Sequence, residues 1–347
     1  MKGNKTLEQT LKEYDYDLPP SLIAQAPAVP RHSAKLLIFN KAKAKISFDT
    51  FHHLGKYLPK NSVLVFNQTK VVPARLSLKK SSGGKVQVLY ISQSKDQIKV
   101  IANRKLNPGS ELGLKGSLGF SVLAKQDNFY LLKPNFPVSK MQSIMKRYGQ
   151  TPLPPYIKHS KLSEKQKREK YQSVFAKAGL SVAAPTASLH FTKSLVKKLQ
   201  KQGIDVKFVT LNVNLGTFAP LKQNNLNTGR LHEEVYEIDA KTASELNLAK
   251  KNGKPIIAIG TTVVRTLESA AGKNGLTKLS GSTDLFIRPG FKFKFIDGLI
   301  TNFHVPKSSL MMLVSAFMGQ KDLLRSYSLA KEKGLRFFSF GDGMLIY

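Results

Sequence analysis

Three short segments collect the residue types that handle protons and anions. The first is Ala184-Pro185-Thr186-Ala187-Ser188-Leu189-His190-Phe191. Its small residues let a backbone approach a ligand closely, and His190 can exchange a proton near neutral pH. The simpler reading on chemistry alone is a tight turn with a hydrogen-bonded histidine, and a ligand site is the alternative. The second is Gly260-Thr261-Thr262-Val263-Val264-Arg265, a glycine turn leading into a helix. Hydroxyls and free helix N–H groups meet there and favour a carboxylate or phosphate. Arg265 and Glu268 have the spacing of an ion pair along one helix. The third is Asn302-Phe303-His304-Val305-Pro306-Lys307-Ser308, a polar loop before an apolar helix. His304 beside Lys307 can contact an anion or serve structure alone. Two weaker signals are Gly216-Thr217-Phe218 after a strand end and Asp342 between Gly341 and Gly343.

These segments need strands and helices to hold them. Apolar runs at 36–39, 62–66 and 255–260 read as buried strands, the second ending in polar Asn67, Gln68 and Thr69. Helices are expected at 192–202, capped by Thr192, at 240–252, at 263–271 and at 308–317, capped by Ser308. A late strand is expected at 336–340. Between Arg75 and Pro137 the texture changes to short alternating strands separated by Gly, Asn and Lys, with no helix. A helix over 141–148 and a proline-rich stretch at 151–157 return the chain to its first unit. The expected fold class is α/β: a mixed-sheet α/β catalytic domain (1–74 and 149–347) interrupted by a small antiparallel β-barrel domain (75–148).

Composition narrows the chemistry. Lys and Arg number 55 against 22 Asp and Glu, a formal charge of +33. Such a surface attracts polyanions, RNA first, although a lysine-rich proteome produces the same excess. The absence of cysteine excludes disulfides, thiolate metal sites and cysteine nucleophiles. No paired-histidine motif points to a metal, so none is expected. No glycine-rich dinucleotide fingerprint or phosphate-binding loop is present. The N-terminal residues carry no apolar secretory core, and the apolar stretch at 310–318 is too short to span a bilayer. The expectation is a cytoplasmic protein without a membrane partner.

Taken in order, the segments resemble one family, the S-adenosylmethionine:tRNA ribosyltransferase-isomerases of queuosine biosynthesis. The resemblance runs through Tyr16-Asp17-Leu18-Pro19, Pro73-Ala74-Arg75-Leu76, Gly83-Gly84-Lys85-Val86 and Pro152-Leu153-Pro154-Pro155-Tyr156-Ile157. It continues through 183–191, Gly260-Thr261-Thr262, Thr283-Asp284-Leu285, Thr301-Asn302-Phe303-His304 and Phe338-Ser339-Phe340-Gly341-Asp342.

That resemblance implies an α/β domain interrupted by a barrel. It also implies transfer and isomerisation of the ribosyl part of S-adenosylmethionine onto 7-aminomethyl-7-deazaguanine at the tRNA wobble position. Epoxyqueuosine-tRNA forms, and adenine and methionine leave. S-adenosylmethionine is consumed as substrate, so no cofactor is expected. The partners are that tRNA and S-adenosylmethionine, and the chain is expected to act as a monomer, with a dimer as the alternative. Candidate catalytic groups are His190, His304 and Asp342. Candidate substrate contacts are Pro185, Thr186, Ser188, Gly260, Thr261, Thr262, Arg265, Glu268, Asp284 and Asn302, with Gly216, Thr217 and Phe218. Candidate RNA contacts are Arg75, Lys85 and Lys307.

The chain departs from the family pattern in three places. Asn212 and Asn214 stand where the family has a histidine and a glycine, Ser188 where it has a glycine, and Val235 where it has Trp or Tyr. The alternatives are a non-catalytic RNA-binding protein on the same fold and an S-adenosylmethionine-dependent RNA methyltransferase.

Overall fold

The computed structural model describes residues 6–213 and 220–347. Gly216, Thr217 and Phe218 lie outside the described residues, as does Asn214. The fold is a mixed α/β architecture with a closed antiparallel barrel. Its main sheet has nine strands. Across the sheet they run Ser280–Leu285, Arg230–Glu237, Asp205–Leu211, Val63–Asn67, Ile256–Ile259, Gly298–Asn302, Gly343–Ile346, Lys35–Asn40 and Lys45–Thr50. Asp205–Leu211, Val63–Asn67, Ile256–Ile259 and Gly298–Asn302 are mutually parallel. Gly343–Ile346 then runs antiparallel to Gly298–Asn302 and parallel to Lys35–Asn40.

The unbroken apolar runs have a simple cause. Leu37, Val63, Val65, Ala258 and Leu299 face one core, and Leu36, Leu64, Phe66, Ile257 and Ile300 face another. A strand buried on both faces has no polar side to show, so it cannot alternate. The barrel strands do alternate, because only one face is inside. Arg75–Lys80 places Leu76 and Leu78 in the barrel core, and Lys85–Gln93 adds Val86 and Val88. Six strands close the barrel: Phe129–Pro134, Ile98–Ala102, Lys85–Gln93, Arg75–Lys80, Glu111–Lys115 and Leu118–Gln126. Helix Met141–Tyr148 follows, with Met141 and Met145 packed into the barrel core from one helix face.

Most expected helices form, with Thr192 and Ser308 capping through Leu195 and Met311. Two expectations change. Residues 336–340 do not form a strand: Phe337 makes one bridge, to Ile23, and Phe338 has φ +70°. The Asp342 carboxylate accepts from the Arg336 backbone N–H at 2.7 Å and folds this stretch into a loop. Its phenylalanines go to different cores, Phe337 with the main sheet and Phe340 with Tyr171 and Leu189. The second change is a thirteen-residue helix, Gln320–Glu332, that the sequence reading did not place. Only Gly319, at φ +90°, separates it from the preceding helix Ser309–Met318, so little turn signal marks the break.

Candidate active site

The three chemistry-bearing segments meet at the C-terminal ends of the parallel strands, where ligands bind in open α/β sheets. One pocket is lined there by Pro185, Thr186, Gly260, Thr261, Thr262, Thr301, Asn302 and His304. It holds about 610 Å³ of free space, its open mouth included. Val213, Tyr156, Phe338 and Ser339 complete much of the wall.

Each segment is held by a specific local device. Gly260 has φ +93°, a conformation L side chains rarely adopt, and this turns strand Ile256–Ile259 directly into helix Thr261–Ala270. The first N–H groups of that ten-residue helix lack intrahelical acceptors and meet the pocket at Thr261 and Thr262. Asn67 pins the turn from below. Its Nδ2 donates to the Leu211 carbonyl at 3.0 Å and to Thr262 Oγ1 at 3.3 Å. Its Oδ1 accepts from the N–H groups of Thr69 and Leu211. One buried amide therefore joins two strands and the helix start.

Thr301 and Asn302 end strand Gly298–Asn302, and each meets one histidine. Thr301 Oγ1 lies 3.2 Å from His304 Nε2. Asn302 Nδ2 lies 3.2 Å from His190 Nε2 and donates to the Phe338 carbonyl at 3.0 Å. Asn302 Oδ1 and His304 Nδ1 are buried and have no hydrogen-bond partner among the described residues. Both residues line the pocket, and a buried polar atom without a partner is uncommon enough to need a reason. Phenol groups clamp the His304 backbone: Tyr327 accepts from its N–H at 2.8 Å, and Tyr16 donates to its carbonyl at 2.5 Å.

Both imidazoles are held neutral. Burial pushes the His304 pKa down to about 3. Burial pushes His190 down to about 3 as well, with Arg336 and Arg31 adding to the effect. His190 is not among the pocket-lining residues. It stacks on Phe51, ring centroids 4.2 Å apart, and stands behind Asn302. Ser188 is fully buried, its Oγ has no partner among the described residues, and it too lies behind the wall.

Several candidates hold other parts of the molecule. Arg265 does not pair with Glu268. It forms a buried ion pair with Glu234 and donates to the carbonyls of Leu285 and Thr283. It edges a smaller cleft beside Thr261 and Thr262. The Glu268 carboxylate accepts from the N–H groups of Lys294, Phe295 and Ile296. Asp342 is 1% exposed and accepts from the Lys35 N–H at 2.9 Å while pairing with Arg336. Asp284 pairs with Arg230 at 3.5 Å. Lys307 pairs with Asp15 at 2.8 Å. Lys85 is exposed at the start of a barrel strand. Arg75 donates to the Leu153 carbonyl at 3.1 Å; burial lowers its pKa and Glu164 partly counters this.

Asn67, Tyr156, Phe338 and Ser339 join the site without a role expected from sequence. Tyr156 Oη lies 2.7 Å from Ser339 Oγ, and its ring packs on Phe338 at 4.7 Å. Burial pushes the Tyr156 pKa up to about 12, so it stays a phenol. Phe338 is bulky and sits at positive φ, a conformation that persists only where the surroundings impose it. Polar residues ending an apolar run were the available sign for Asn67; nothing in the sequence marked the bend at Phe338. Asn212 Oδ1 accepts from the Leu180 N–H at 3.0 Å and from Thr69 Oγ1 at 3.3 Å. Val235 is 56% exposed. Among the described residues no group of three or more His, Asp or Glu could hold a metal ion.

A Carboxydothermus hydrogenoformans protein named S-adenosylmethionine:tRNA ribosyltransferase-isomerase is 44% identical over 340 residues, 97% of this chain and 99% of the relative. An Aquifex aeolicus protein of the same name is 43% identical over 342 residues, 97% of this chain and 99% of the relative. The crystal structure of S-adenosylmethionine tRNA ribosyltransferase from Thermotoga maritima superposes with a TM-score of 0.56 at 32% identity, over 96% of this chain and 100% of that one. Residues 11–346 match the family described as queuosine biosynthesis protein, and the chain belongs to that family.

Proposed function

We propose that this chain is a tRNA-modifying transferase-isomerase. It moves the ribosyl moiety of S-adenosylmethionine onto 7-aminomethyl-7-deazaguanine at the tRNA wobble position, and epoxyqueuosine-tRNA, adenine and methionine result. One observation carries the reading beyond family membership. Segments 183–191, 260–262, 301–304 and 338–339 are far apart in sequence, and all four contribute to one pocket.

The reaction has needs these residues can meet. A proton on the carbon beside the sulfonium must be removed. His304 lines the pocket and is neutral, and with Nε2–H donated to Thr301 its Nδ1 carries a lone pair that no described residue occupies. Adenine departs with the electron pair of its glycosidic bond and needs a proton on nitrogen. The imidazolium formed on His304 returns that proton. Asn302 Oδ1 accepts from an amino group of the substrate, and His190 and Phe338 hold that amide in place. The helix start at Thr261 and Thr262 receives the methionine carboxylate. The α/β part (1–74 and 149–347) carries this chemistry and 75–148 is an insert. The protein works in the cytoplasm as a monomer, without a separate cofactor.

The test supplies S-adenosylmethionine and tRNA carrying the deazaguanine precursor. Adenine and methionine should appear in equal amounts with modified tRNA. His304→Asn should lower kcat by about 100-fold or more while RNA binding is kept. Methylated RNA with S-adenosylhomocysteine would overturn the reading. RNA binding without any product would leave a binding protein on this fold, and an unchanged kcat in the variant would remove His304 from its role.

A further inference from the structure

A second, larger cleft lies between helix Met141–Tyr148 and the short parallel pair Thr69–Val71 and Ala178–Ser181. It holds about 1390 Å³ of free space, open mouth included. Lys70, Lys146 and Arg168 line it, with Gln142, Ser143 and Thr151, and no Asp or Glu is among the lining residues. Lys70 and Lys146 are exposed. No hydrogen bond or ion pair occupies either ammonium among the described residues. Arg168 is committed: it pairs with Glu164 and donates to the carbonyls of Lys146 and Gly149. Glu164 is further tied to Thr151. The nearby carboxylate is therefore internally matched, and the two lysines supply the unpaired charge. Lys165, Lys167 and Lys170 on helix Glu164–Lys170 extend the positive field.

The cleft also sits close to the reaction pocket. Leu180 lines the cleft and Ala184 lines the pocket, four residue steps along one segment. Four steps of extended chain span at most about 14 Å. A polyanion lying in the cleft can thus deliver one of its units to the pocket. Another lysine-bordered hollow, around Lys250, Lys251, Lys273 and Lys294, offers no such route. It adjoins segments that enter strands Ile256–Ile259 and Gly298–Asn302, at the opposite end of the sheet from the pocket.

We infer that the Lys70–Lys146 cleft binds the RNA sugar-phosphate backbone beside the target nucleotide. The inference rests on the transferase reading above and adds to it where the RNA lies. Phosphate contacts of this kind fix register without reading sequence.

Two double variants test it. Lys70→Ala with Lys146→Ala neutralises the cleft, and Lys251→Ala with Lys273→Ala removes equal charge at the other end. The probe is an anticodon stem-loop RNA, followed by fluorescence anisotropy across a salt series, together with steady-state kinetics on tRNA. The cleft variant should bind RNA about tenfold more weakly, with a salt slope shallower by about one to two. Its KM for tRNA should rise by the same factor, with kcat and the KM for S-adenosylmethionine unchanged. The control should match the parent protein, and unchanged melting of both variants shows that folding is intact. Parental RNA affinity and salt slope in the cleft variant would overturn the inference, as would equal losses in both variants. If the parent protein releases no adenine, the transferase reading fails, and the binding series still decides the cleft.

Discussion

His190 and His304 show what burial does to an imidazole. Neither has an acidic partner, and both are pushed down to about 3 because the charged form would lose its hydration. In the unfolded chain a histidine titrates near about 6.5. Below that value the unfolded chain binds protons that the folded chain refuses. The stabilisation is therefore fully present above pH 6.5 and declines as pH falls toward 3. At pH 5 each histidine should cost about 2 kcal/mol, or about 4 kcal/mol for the pair. Urea denaturation at pH 7 and pH 5 measures the difference. Replacing both, as His190→Gln with His304→Asn, should remove most of it, and equal parental stability at the two pH values would contradict the burial argument. The same burial keeps the His304 imidazole neutral at physiological pH.

Helix Thr261–Ala270 divides its labour along its length. Its first turn faces the pocket, and its later residues fasten the sheet edge. Arg265 and Glu268 are spaced to pair with each other, but an exposed pair on one helix is worth only about 0.2–0.5 kcal/mol. Both are buried, at 5% and 4% exposure, so each needs better partners. Arg265 takes Glu234 and two carbonyls near Ser280–Leu285, and Glu268 takes three consecutive N–H groups. Arg265→Met removes the ion-pair partner of a buried carboxylate and should destabilise the fold by about 3–5 kcal/mol. Adding Glu234→Leu should recover most of that loss in chemical denaturation. Failure of the second substitution to recover stability would mean that Arg265 acts mainly through its carbonyl contacts.

At the scale of the whole molecule, the formal charge of +33 is spread over both ends of the sheet, and only some of it adjoins the pocket. RNA affinity should still fall steeply with salt, by about a thousandfold between 50 and 200 mM if six phosphates are neutralised. Titrations of a stem-loop RNA at several salt concentrations measure this, and a flat dependence would leave the lysine excess without an RNA role. Among the described residues, no helix is long and apolar enough to cross a membrane.

The sequence by itself determined the elements whose signals are local. Runs such as Leu36–Phe39 and Ile256–Ile259 had to be buried strands, and the alternating stretch from Arg75 had to be a β unit, because period and composition act within a few residues. Thr192 and Ser308 were legible as caps for the same reason. The segments holding His190, Thr261 and His304 stood out by residue type, but chemistry alone favoured a plain turn at His190 and left the loop at His304 open to a structural role. Tertiary structure alone decided which of them reaches the pocket: His304 lines it, while Asn302 stands between the pocket and His190. It also decided the partners of Arg265, Glu268 and Asp342, the bend at Phe338 and the cleft at Lys70. Those outcomes depend on contacts between residues distant along the chain, where packing and desolvation outweigh the weak preferences that spacing expresses.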